Sequence, residues 1–136
     1  MRIRLEFLFN MNRLFIDQDL PNLNHYFDDI VYSSNDLLVY KESDLVIMIS
    51  KEGAVSIETE ICDPIDLNNK INRTFNEYKK LTFINDRFKL DNDFVIIVPK
   101  ESTKELVDEL GRLHFDVNIT QSRNNDLLSV ERSIIN

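Results

Sequence analysis

The sequence predicts an α+β domain, and three patterns carry that prediction. Short segments alternate apolar and polar side chains with a period of two, three of them in immediate succession. Two longer segments space their apolar residues as helices do. Between them stand brief Asn, Asp, Ser and Gly turns rather than long linkers. With 136 residues the chain can build one core but not two, so 1–136 is read as a single domain. Within it, 1–19 forms an N-terminal strand or hairpin, 20–98 the central core, 99–120 a helix and strand, and 121–136 a C-terminal tail.

In the opening stretch MRIRLEFLFNMNR, Arg2, Arg4 and Glu6 alternate with Ile3, Leu5, Phe7 and Phe9. This is a strand pattern, unlike the uniform apolar run of a signal peptide. NMN then turns the chain and RLFI returns as a short second strand. Asp19 caps a helix with Pro21 in its first turn, and Leu20, Leu23, Phe27, Ile30 and Val31 form its apolar stripe until SSND ends it. A tight meander follows: DLLVYK and DLVIMIS joined at ES, then AVSIETEI after KEG. A three-residue loop with Gly53 third suits a type I turn plus a glycine bulge, which places Ser50 opposite Ala54. That register pairs Ile47 with Ile57, Ile49 with Val55 and Leu45 with Thr59, and so gathers one apolar face. It also sets Asp44 opposite Glu60 on the second face, beside Glu58.

CDP breaks the third meander strand, and Asp66 caps a helix that buries Leu67, Ile71, Phe75, Tyr78 and Leu81 or Thr82. TFINDRFKLDND reads either as a hairpin at ND or as an irregular connection. FVIIV is an apolar run suited to a strand buried on both faces, and Ser102 and Glu105 form a capping box for a helix to about Leu113. FDVNI alternates as another strand, so that strand, helix and strand make a parallel unit. The tail DLLSVERSII, apolar at Leu127, Leu128, Val130, Ile134 and Ile135, reads as a short helix on the sheet or as an arm packed on a second copy. The expected sheet is therefore mixed: an antiparallel three-strand meander followed by helix, strand, helix, strand.

Charge narrows the function classes. Sixteen Lys and Arg against 24 Asp and Glu give a net charge of -8. That disfavours sequence-independent nucleic-acid binding unless the basic residues cluster, and it suits a partner with a cationic surface. No apolar run approaches the ~18 residues of a membrane span. A single Cys62 excludes an intrachain disulfide and, with no CxxC, a zinc cluster; a reducing, cytoplasmic setting is expected. His25 reads as a helix-surface residue, His114 as a helix-terminus residue and Cys62 as a small, partly buried one. Glu58 and Glu60, on one face of a strand, imply a solvated face, a docked cation-bearing partner, or a metal ion held between carboxylates.

From residue 20 to 98 the order helix, three-strand meander, helix, strand resembles the core of the PD-(D/E)XK nuclease superfamily. SDLVIMISKEGAVSIETE is similar to the superfamily's Asp at the start of the second strand, hairpin, and E-x-K on the third. The resemblance implies a restriction-endonuclease-like fold and a divalent-metal-dependent nuclease hydrolysing DNA or RNA phosphodiester bonds. Asp44 and Glu58 would hold Mg²⁺ or Mn²⁺, a hard cation that takes oxygen ligands. Glu60 stands where Lys is usual and would accept the proton of the attacking water, with Lys70 the nearby substitute cation. Asp44, Glu58, Glu60 and Lys70 are thus the catalytic candidates, and Ser43 replaces the customary Pro. Two other readings stand beside this one. The first is a non-catalytic acidic inhibitor of the toxin-immunity or phage anti-defence type, binding a basic protein. The second is a catalytically dead nuclease-fold assembly subunit, homodimeric through its C-terminal tail.

Overall fold

The structure, a computed structural model, describes residues 2–9, 20–84 and 93–132. Its strands are β1 (Ile3–Phe9), β2 (Ile30–Ser33), β3 (Leu37–Glu42), β4 (Leu45–Ser50), β5 (Val55–Ile61), β6 (Asp93–Pro99), β7 (Phe115–Gln121) and β8 (Asn125–Arg132), with helices α1 (Leu67–Ile84) and α2 (Thr103–Arg112). All eight strands join one sheet in the order β2-β3-β4-β5-β1-β6-β8-β7. Every adjacent pair is antiparallel, so the sheet is not mixed as expected.

The expected strand-helix-strand unit is present in altered form. β6 and β7 are both antiparallel to β8, hence parallel to each other, but β8 lies between them. The described part of the segment expected as a docked helix or an arm, 126–132, is instead this inserted strand, and Ile134 and Ile135 lie outside the described residues. Leu128 and Val130 point to the core, and Leu127 and Ser129 to the other face, a period of two that the apolar count had hidden. β5, α1 and β6 repeat the arrangement, with β1 filling the gap between two parallel strands. The first and last described strands thus each complete a crossover begun elsewhere in the chain.

Local chemistry explains most element boundaries. Between β4 and β5, Gly53 adopts φ 88°, Ser50 N–H donates to the Ala54 carbonyl, and the ladder runs Ile47–Ile57 and Ile49–Val55. This is the predicted register, and a left-handed φ is why glycine suits the site. The β3–β4 turn is Ser43–Asp44, with Ser43 at φ 57°. Proline, locked near -65°, could not adopt that angle, which accounts physically for its absence there.

The first predicted helix is only a 3₁₀ segment, Leu20–Tyr26; Ile30 and Val31 belong to β2. β-branched Ile30 and Val31 with Tyr32 favour the extended state, and Ser34 Oγ accepts from the N–H groups of Asp36 and Leu37 to turn the chain into β3. Asp63, not Asp66, caps the segment leading into α1, accepting from Ile65 N–H at 3.1 Å with Pro64 next in line. Ser102 occupies the N-cap position of α2 but makes no capping hydrogen bond through its side chain. RLFI, the Asp19 cap and the 85–92 stretch lie outside the described residues.

The core lies on one face of the sheet. Phe7, Phe9, Ile57, Ile96 and Leu128 pack there against Leu67, Ile71, Tyr78 and Leu81 of α1 and Leu106 and Leu110 of α2. Phe94 is its aromatic hub, with ring centroids 5.1 Å from Phe75, 6.0 Å from Phe115 and 6.1 Å from Phe7. Leu23 and Phe27 join the same side, Phe27 stacked 3.9 Å from Tyr40. On the opposite face Leu8, Val46, Met48, Val95 and Ile97 are half-buried, interspersed with Arg4, Glu6, Ser56 and Glu58.

Candidate functional site

The strand order brings β1 beside β5, which surrounds the candidate carboxylates with arginines. In the β1–β5 ladder Arg4 lies opposite Glu60 and Glu6 opposite Glu58. Diagonal reach then joins Arg4 Nη2 to Glu58 Oε2 at 2.6 Å, while Arg2 Nη1 stands 3.8 Å from Glu60 Oε2. The Glu58 hydrogen bond and charge raise the Arg4 guanidinium above its ordinary range. Glu6 is held in turn by Ser56 Oγ, which donates to it at 2.7 Å.

Asp44 is placed differently. The β4–β5 ladder closes at Val46–Glu58, because Ser43 and Asp44 are spent on the preceding turn, so Asp44 and Glu60 do not pair as strand residues. The Asp44 carboxylate instead meets Lys70 and Arg73 of α1. Helical periodicity explains that pair, since residues three apart lie on one side of a helix. Lys70 also donates to Thr59 Oγ1 at 3.1 Å. Only 13% of its side chain is exposed, and burial, helped by the neighbouring Arg73 charge, lowers its pKa below the ordinary lysine value.

Asp44, Glu58 and Glu60 nevertheless line one open hollow of about 450 Å³ with Arg2, Arg4, Val46, Thr59 and Cys62. Cys62 is exposed there rather than partly buried. A second hollow of about 310 Å³, lined in part by Ile97 and Asn125, shares Arg4 and Glu58 with it. Three of the four predicted site residues, Asp44, Glu58 and Glu60, thus line this hollow, Lys70 reaches only Asp44 among them, and each of the three carboxylates has a basic partner. Asp44, Glu6, Glu58 and Glu60 stand against Arg2, Arg4, Lys70 and Arg73, four carboxylates against four cations. Among the described residues no three acidic, histidine or cysteine side chains converge so as to share a metal ion. For Asp44 and Glu58 to ligate a cation, both would first have to release basic partners. In their present positions the residues do not fit a divalent metal, and they fit a self-neutralised polar patch.

Sequence reasoning did not place Arg2, Arg4 and Arg73 in this neighbourhood. In the sequence Arg2 and Arg4 form the polar face of a strand, but their partners depend on which strand pairs with β1, and no local pattern encodes that. His25 is exposed, its ring 4.1 Å from Tyr26. His114 follows α2 at φ 66°, its N–H donating to the Gly111 carbonyl; this is the helix-terminus role expected for it.

A second surface draws notice at the β2 end of the sheet. Tyr26, Val31 and Tyr32 are 54%, 55% and 53% exposed, beside exposed Asp28 and Asp29. Among the described residues β2 pairs with β3 alone. No helix of the described residues is long and apolar enough to cross a membrane.

No protein-family model matches the sequence, and neither a curated protein nor a solved structure matches it.

Proposed function

We propose that the chain is a non-catalytic acidic binding protein whose partner presents a cationic surface. The observation that carries this reading is the exposure of three large side chains, Tyr26, Val31 and Tyr32, at the β2 end of the sheet, with exposed Asp28 and Asp29 between them in the chain. Exposed tyrosines supply large contact area at low entropic cost and are enriched among residues that dominate binding energy, while rim charges steer encounter and select partners. The net charge of -8 extends that steering over the whole molecule. The toxin-immunity or anti-defence role is the form of the reading in which the basic partner is a nuclease or toxin. The test is affinity capture from an extract of the native host with wild type, Tyr26→Ala/Tyr32→Ala and Asp28→Asn/Asp29→Asn. A basic protein held by wild type, lost with either variant and released by salt supports the proposal. Equal recovery by all three baits, or none by wild type, refutes it.

A second reading, a Mg²⁺- or Mn²⁺-dependent nuclease with a restriction-endonuclease-like core, is favoured by one observation. Asp44, Glu58 and Glu60 share a hollow with two arginines, and Lys70 reaches Asp44. Asp44 and Glu58 would have to exchange their cationic partners for the metal. Cleavage of DNA or RNA in Mn²⁺ that disappears in Glu58→Ala supports this reading, and its persistence in that variant removes these residues from any activity. A catalytically dead assembly subunit is the same fold without that exchange.

A further inference from the structure

The two edges of the sheet are built differently, and the difference points to a partner for one of them. Edge strands expose a row of backbone donors and acceptors, which natural proteins blunt by shortness, bulges, charge or proline. β2 is blunted: it has four residues, its register with β3 shifts between Ile30 and Tyr32, and Asp28 and Asp29 precede it. Among the described residues β7 ends the sheet uncovered, and of these devices it carries only a single charge. It runs for seven residues, FDVNITQ, in unbroken register with β8, without glycine, proline, lysine or arginine and with Asp116 as its one charge. In a chain of net charge -8 this edge is nearly neutral. Ile119 on it is 49% exposed.

We propose that β7 pairs antiparallel with β7 of a second copy, joining two eight-stranded sheets into one continuous sheet. This inference is independent of the functional readings above. Ser122 N–H donates to the Asn125 carbonyl where the β7–β8 hairpin closes. Alternation along an antiparallel ladder then turns the amides of Thr120 and Asn118 towards β8 and those of Val117, Ile119 and Gln121 outward. A two-fold axis at Asn118, the middle residue of β7, pairs Asp116 to Thr120 with their equivalents, over ~17 Å of strand. It sets Val117 against Ile119 of the second copy, twice, and so covers the exposed isoleucine with apolar surface. It sets Asp116 opposite Thr120, so that no like charges face each other. Each surface meets its own copy, as a two-fold interface requires.

The register makes the test specific. At the axis the two Asn118 positions form a non-hydrogen-bonded pair, the closer kind, with Cβ atoms ~4.5–5 Å apart and within reach of a disulfide after slight adjustment. The two Thr120 positions stand ~14 Å apart along the strands. In a Cys62→Ser background, Asn118→Cys should cross-link to a covalent dimer on mild oxidation, and Thr120→Cys should not. Sedimentation equilibrium should give a dimer for wild type and a monomer for Ile119→Lys, with unchanged circular dichroism in the variant. A wild type that stays monomeric at every concentration overturns the proposal. So does cross-linking of Thr120→Cys as fast as Asn118→Cys, or a dimer that Ile119→Lys leaves intact.

Discussion

Removing one oxygen, in Tyr40→Phe, tests how the β2–β3 end of the sheet is held to the helical layer. Tyr40 is 1% exposed, and its hydroxyl donates to Glu77 Oε1 of α1 at 2.9 Å; Lys80 Nζ reaches the other Glu77 oxygen at 3.0 Å. Burial first, and the Glu77 charge second, push the Tyr40 phenol above its ordinary pKa, which favours the protonated, donating form. Glu77 is itself buried, at 4% exposure. Tyr40→Phe keeps the ring and its stack on Phe27 but leaves one oxygen of a buried carboxylate without its donor. A hydrogen bond to a charged group contributes ~1.5–3 kcal/mol net, and the orphaned acceptor places the loss within or above that range. For 136 residues the melting entropy is ~0.3 kcal/mol/K, so Tm should fall by ~5–10 °C. Differential scanning calorimetry measures this directly, with Glu77→Gln and the double variant completing a cycle whose coupling should be ~1 kcal/mol or more. A Tm within ~1 °C of wild type, or a coupling near zero, would show that this hydrogen bond does not fasten β3 to α1.

Three further outcomes follow from other parts of the structure. Ser43 holds a left-handed φ, so Ser43→Gly should raise stability by up to ~1 kcal/mol while Ser43→Pro destabilises the β3–β4 turn, both read from urea unfolding. Phe94→Ala should cost ~3–5 kcal/mol, because it empties the hub between Phe7, Phe75 and Phe115; an exposed phenylalanine would cost far less by the same denaturant titration. Asp126 accepts from Lys100 at 2.9 Å and Thr103 at 2.7 Å, and these bonds, the lysine first, hold its pKa below the ordinary aspartate value. The stabilisation is therefore full above the unfolded pKa of ~3.9 and lost as pH falls through the lower folded value. Asp126→Asn should lower Tm at pH 7 and converge on wild type only once pH has fallen below the depressed folded pKa, and a Tm gap that persists unchanged into strong acid would contradict that linkage.

Much of this fold was legible because its signals are local. The alternation in IRLEFLF, broken only at Leu8, the KEG loop with Gly53 and the helical spacing of Leu67, Ile71 and Tyr78 each specify an element from within a few residues of itself. The β4–β5 register followed because a one-residue slip would turn Ile47, Ile49, Val55 and Ile57 out of the core. The errors have a common cause. Ile30 and Val31 fit a helical stripe as well as they fit a strand, and DLLSVERSII fits a helix until a gap between two parallel strands is there to receive it. Whether such a segment becomes strand or helix is decided by tertiary pairing. The candidate site divides along the same line. Asp44, Glu58 and Glu60, singled out in the sequence, line one hollow, and Lys70 reaches Asp44 from α1. Their arginine partners were not legible in the sequence, since the pairing of Arg4 with Glu58 joins residues 54 apart.

Melting in the presence of Mn²⁺ or Mg²⁺ asks whether that pairing of carboxylates with cations holds. A ligand bound only by the native state at 100 times its Kd adds ~2.7 kcal/mol, which for this chain is a rise of ~9 °C. With Asp44 and Glu58 committed to Lys70, Arg73 and Arg4, wild type and Glu58→Ala should each melt at the same temperature with and without millimolar metal. A metal-dependent rise in wild type that vanishes in Glu58→Ala would show that the carboxylates do release their cations, and would make the hollow a metal site.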